Sequence, residues 1–168
     1  MGGIAEPTSK EAIGRVGIIR WSAATAGESY DVRSLYVERC WLGILGPSTL
    51  LLLRYVADRL ELSPEGFVMD MEPTARMLGV GMRTGKNSPL RRSLGRAVAF
   101  GAARWVAPAA RDGEADAADA EDDLSVLSCS PGPTDAVIAF KSRLPPVSSR
   151  QMQRIGRAAR EMCHEEFP

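Results

Sequence analysis

Six basic residues and no acidic one lie between Arg83 and Arg104: Arg83, Lys86, Arg91, Arg92, Arg96 and Arg104. Guanidinium and ammonium groups without carboxylates between them suit phosphate, which they bind through charge-assisted hydrogen bonds. Asn87-Ser88-Pro89 is a helix start, with Ser88 as N-cap and Pro89 in the first turn. On the helix that follows, Leu90, Leu94, Ala97, Val98, Gly101 and Trp105 gather on one side, and Ser88, Arg92, Arg96, Ala99 and Ala103 on the other, with Arg91 near them. An ordinary solvated face mixes Glu with Lys and Arg. This one offers arginine first and small residues after, as a helix entering a DNA major groove must. The residues expected to contact DNA are Arg83, Lys86, Asn87, Ser88, Arg91, Arg92 and Arg96, joined by Lys141 and Arg143.

Other chemistries find little to work with. Cys40, Cys129 and Cys163 follow no ligand spacing, and with His164 the only histidine no zinc set can be assembled. They are expected as thiols in a reducing cytosol. Cys163 and His164 are neighbours, which on a helix point about 100° apart and so form no activated thiol pair. Gly79, Gly81 and Gly85 follow a helix where a dinucleotide loop would follow a strand, and residues 85–88 lack the pattern of a P-loop. Paired carboxylates in an apolar setting and Ser-His or Cys-His arrangements are likewise missing, so no enzyme, cofactor, metal or catalytic residue is expected. No signal-peptide pattern opens the chain, and its longest apolar run, 48–53, is far too short to span a bilayer. A cytoplasmic protein with no membrane partner is the expectation.

The elements that must position the arginines can be read from composition and period. The chain has 168 residues, 45% of them apolar, enough to bury a core without a metal or a disulfide. Its formal charge of zero conceals an asymmetry. Residues 112–123 (DGEADAADAEDD) hold seven of the 21 acidic residues and no basic one, leaving 21 basic against 14 acidic elsewhere. Such a segment cannot bury apolar area and is expected as a disordered loop, within 110–123, that repels phosphate or competes for the basic face.

Residues 1–33 show no sustained period and many glycines, which predicts a flexible tail with a brief ordered piece near Val16 and Trp21. The run 34–42 (SLYVERCWL) reads as a strand or extended arm, or as a short helix into the core. Gly46-Pro47-Ser48 starts a helix whose Leu50, Leu51, Leu53, Val56, Ala57 and Leu60 face inward, and Pro64 with Gly66 stops it. A three-residue strand at 67–69 follows, expected to pair with a later wing strand. Next comes a helix over 72–78, capped by Asp70, with Ala75, Met77 and Leu78 inward. After the basic helix (89–105), runs 124–129 and 136–140 around Pro131-Gly132-Pro133 form a hairpin, 124–143, that serves as a wing. Ser148 and Gln151 form a capping box opening a last helix, 148–166, whose apolar stripe closes the core or makes a homodimer seam.

The fold expected is mainly α with a small β-hairpin: a winged helix-turn-helix (34–168) with a disordered N-terminal tail and an acidic loop before the wing. The stretches W-L-G-I-L-G-P-S (41–48), M-D-M-E-P-T-A-R-M-L-G-V-G (69–81), R-T-G-K-N-S-P-L (83–90) and R-L-P-P-V (143–147) resemble a family of actinobacterial winged-helix proteins regarded as transcriptional regulators. The resemblance covers 36–167 and implies a winged helix with 89–105 as recognition helix. It implies no catalytic residue, ligand or operator, and the long acidic insert departs from the family's commoner form. Two functions compete: a transcriptional regulator bound to double-stranded DNA, and an adaptor on RNA polymerase, a sigma factor or another regulator.

Overall fold

The computed structural model describes residues 14–22, 27–81, 88–106 and 136–153, together with 156, 157, 160, 161 and 163. Six strands and five α-helices follow one another in these segments: β1 (Arg15–Arg20), β2 (Tyr30–Asp31), α1 (Leu42–Leu45), α2 (Pro47–Leu62), β3 (Phe67–Asp70), α3 (Met71–Met77), α4 (Pro89–Ala99), β4 (Ala103–Val106), β5 (Ala136–Phe140), β6 (Arg143–Leu144) and α5 (Ser149–Met152). A π-helical turn, Val37–Trp41, leads into α1.

The expected mainly α winged helix with one small hairpin is overturned by a four-stranded mixed sheet in the order β3-β1-β5-β4. Its second strand, β1, lies where the tail was expected to hold only a brief ordered piece. β1 runs antiparallel to β3, with Ile18 opposite Phe67, and parallel to β5, with Ile18 opposite Ile138. β3 therefore pairs with β1 and not with a wing strand, because β1 stands between it and β5. β5 completes its pairing antiparallel to β4, Trp105 opposite Ile138. The expected wing strand at 124–129 and the acidic run lie outside the described residues. A second, two-stranded sheet joins Tyr30 to Leu144 and Asp31 to Arg143.

Period-two burial separates the sheet's faces. Val16 and Ile18 of β1, Phe67 and Met69 of β3, Ala103 of β4, and Ile138 and Phe140 of β5 join the core. Against them pack Leu52, Leu53, Val56 and Leu60 of α2 and Leu90, Leu94 and Ala97 of α4. Burying apolar area on this scale supplies the main favourable contribution to folding. Arg20 pins the sheet to the helical layer by donating from Nη2 to the carbonyl of Leu60, 2.9 Å away. At Gly66 (φ +109°) a Cβ would stand 2.6 Å from Ile18 O, so the turn between α2 and β3 lies against β1 in a way only glycine permits.

Several local expectations are corrected. Of the two readings of 34–42, the short helix into the core holds and the strand or arm does not: residues 35–45 are helical, and Tyr36 and Trp41 on that stretch hold the R-L-P-P-V segment. Val147 N donates to Tyr36 Oη at 2.9 Å, and Trp41 Nε1 donates to Pro145 O at 3.2 Å. On α2 it is Leu52 that is buried, while Leu51 is 46% exposed. Met77 of α3 is exposed, and Asp70 makes no side-chain cap, being engaged by Arg15 at 3.1 Å. α4 stops at Ala99, because Gly101 turns the chain with φ +71° and the next residues, ARWV, form β4. The expectation of separate reduced cysteines fails for two of them: Cys40 and Cys163 are joined in a disulfide, with Cα atoms 5.4 Å apart, both buried. Met152 of α5 also packs against the core, and α5 carries the predicted capping box of Ser148 and Gln151.

Candidate nucleic-acid interface

α4 is built to show one face. Ser88 Oγ accepts from Arg91 N, Pro89 occupies the first turn, and Ser93 Oγ donates back to Pro89 O at 3.1 Å. Leu90, Ser93, Leu94 and Ala97 are buried beneath the helix. Arg92, Gly95, Arg96 and Ala99 are exposed along it, and Arg91 is half-buried beside them. The exposed stripe therefore alternates guanidinium groups with the two smallest side chains. Ser88 is committed as a cap. Arg96 is partly committed, donating from Nε to Ile44 O at 3.0 Å and lying 5.9 Å from the Phe100 ring centroid. Arg91 and Arg92 meet no carboxylate among the described residues.

Charge is distributed unevenly between the halves of the fold. The described carboxylates before α4 lie between Glu28 and Glu72, and arginines answer most of them. Arg33 alone meets Asp31 (2.9 Å), Asp58 (3.1 Å) and Glu61 (2.5 Å). Arg54 meets Glu38 at 2.6 Å, and Arg76 meets Glu72 at 2.7 Å. The Arg33 guanidinium, hydrogen-bonded to both, holds the carboxyls of Asp31 and Glu61 below the usual carboxylate range. Between Ser88 and Val106 and between Ala136 and Gln153 the order reverses. Those segments hold Arg91, Arg92, Arg96, Arg104, Lys141, Arg143 and Arg150, with no acidic residue. Among the described residues these two segments are therefore left positive.

No family model, curated protein or solved structure matches the chain.

Of the nine residues expected to contact DNA, Arg83, Lys86 and Asn87 lie outside the described residues. Ser88, Arg91, Arg92 and Arg96 come together on α4. Lys141 and Arg143 stand elsewhere. Lys141 N donates to Ala102 O beyond the C-terminal end of α4, and its ammonium lies 4.3 Å from the Trp21 ring centroid. Arg143, in the small sheet, reaches Ser29 with both Nε and Nη2. Sequence reasoning missed Arg104, whose guanidinium lies 4.8 Å from the same Trp21 ring. The signal was the alternation A-R-W-V, which reads as a strand once the helix is ended at Gly101.

Proposed function

We propose that this protein binds double-stranded DNA as a transcriptional regulator, with the exposed face of α4 in the major groove. One observation carries the reading: Arg92, Gly95, Arg96 and Ala99 form a continuous exposed stripe on a capped helix, beside Arg91 and far in sequence from any described carboxylate. Arginine forks hydrogen-bond guanine edges and phosphates, and glycine and alanine let the helix axis approach the groove wall. The reading makes the protein a non-enzyme of the cytoplasm. There the Cys40–Cys163 bond stands against a reducing poise, and its state follows the redox conditions of the cell.

The test is a titration of mixed-sequence duplex at two salt concentrations. Affinity should fall steeply with salt, and Arg92→Ala should weaken binding by about 1 to 3 kcal/mol while leaving the melting temperature unchanged. A folded Arg92→Ala protein that binds as tightly as wild type removes the assignment. The alternative, an adaptor on RNA polymerase, a sigma factor or another regulator, is favoured by one observation: Leu35 and Leu42, seven residues apart on the first helical stretch, are 51% and 39% exposed. A protein blind to duplex at low salt that loses polymerase binding on Leu35→Ser would establish it instead.

A further inference from the structure

We propose that the outer face of the sheet is a binding site for single-stranded nucleic acid, in which Trp21 stacks on an unpaired base and Arg104 and Lys141 take the flanking phosphates. α2 and α4 pack on the inner face, so the outer face is formed by the alternate residues Val68, Ile19, Val137, Ala139, Arg104 and Val106. Ala139 identifies this second face. It is 1% exposed and is paired with Ile19 of β1 and Arg104 of β4 in the outer row. Trp21 follows the last residue of β1 and is held to β5 by its N–H bond to Phe140 O, 2.8 Å. Lys141 follows β5, and Arg104 lies across from Ala139 on β4. From these positions the Lys141 ammonium lies 4.3 Å and the Arg104 guanidinium 4.8 Å from the Trp21 ring centroid. Trp21 Nε1 is buried and finds no acceptor among the described residues, which leaves the ring faces as the part of the indole the proposal uses.

Two cations on one half-exposed indole, beside an apolar sheet face, are complementary to a ligand that is both planar and anionic. Each nucleotide of a single strand is such a ligand. A base laid on the indole replaces a cation–π contact with stacking and releases that cation to the adjoining phosphate. Duplex DNA offers no free base face, so this site discriminates against it. Asp70 is the only described carboxylate on this face, and Arg15 neutralises it at 3.1 Å. The site is independent of the duplex reading, since α4 lies on the opposite side of the sheet.

The experiment is fluorescence anisotropy of a labelled thymidine oligonucleotide of about 15 residues, with labelled duplex as a second probe. Wild type binds the oligonucleotide. Trp21→Leu weakens it about five- to hundredfold with the salt slope retained, and Trp21→Phe keeps most of the affinity because a ring remains. The double variant Arg104→Ala, Lys141→Ala lowers the salt slope by about 1.4, some 0.7 for each phosphate that is no longer neutralised. Arg92→Ala leaves oligonucleotide binding unchanged, which separates this site from α4. No oligonucleotide binding by wild type overturns the proposal. So does equal binding by folded Trp21→Leu, equal weakening in Trp21→Leu and Trp21→Phe, or displacement of the oligonucleotide by duplex at equal concentration.

Discussion

Arg33 does in the first half of the molecule what no described residue does on α4: its guanidinium is surrounded by carboxylates, Asp31 beside it and Asp58 and Glu61 on α2. The two carboxyls it depresses are protonated in the unfolded chain at a higher pH than in the folded one. Their contribution to stability is therefore present above the ordinary carboxylate range near about 4 and is lost as pH falls through the lower folded values. Arg33→Ala should melt below wild type at pH 7, and the difference should shrink as the pH is taken toward about 3. Melting curves across that range check it, and a gap that stays constant would mean that Arg33 stabilises by packing alone. None of this was legible in the sequence. Asp31 and Arg33 are close neighbours there, but Asp58 and Glu61 meet them only because α2 folds back beside the loop. Leu51 and Leu52 teach the same lesson, since period alone admits either to the core and the neighbouring elements select Leu52.

Elements formed by local interactions were legible, and those completed by distant partners were not. α2 runs from Pro47 to Leu62 as read, because proline, period and the Pro64-Gly66 stop all lie within or next to it. α4 starts at Pro89 as read, under its Ser88 cap. β1 was read only as a brief ordered piece and not as a strand, because RVGIIR is short, is broken by a glycine, and becomes a strand only between β3 and β5, which arrive much later in the chain. The C-terminal segment depends on a distant partner in the strongest sense, through a bond that spans 123 residues. Closing so long a loop removes much of the freedom of the unfolded chain, and reduction should lower stability by about 2 to 5 kcal/mol. Denaturant titrations with and without reductant measure this, and Cys163→Ala should reproduce the reduced midpoint. Before reduction one thiol, that of Cys129, should titrate in the denatured protein, and three afterwards. Three thiols without reductant would remove the cross-link.

At the scale of the whole molecule the charge pattern, visible in the sequence as a basic stretch and an acidic run, acquires a direction from the fold. Most described carboxylates of the first half are consumed by arginines of the same half, while α4, β4 and Lys141 after β5 keep their positive charge. Residues 112–123 bring seven further carboxylates into the connection between β4 and β5. The ends of that connection are already neighbours, since Val106 is paired with Val137, and a turn of a few residues suffices to join them. Replacing 112–123 with a short Gly-Ser turn therefore removes seven negative charges and no apolar side chain larger than alanine. The fold should survive with its melting temperature unchanged. If the carboxylates oppose phosphate, affinity for duplex DNA should rise at low salt, because the remaining chain carries 21 basic against 14 acidic residues. The gain should shrink as salt is added, since a Coulombic effect between exposed groups is screened beyond about 8 to 10 Å at physiological ionic strength. A gain that ignores salt would mean that the segment blocks the site by its bulk. Unchanged affinity at every salt would leave the basic face of α4 indifferent to it.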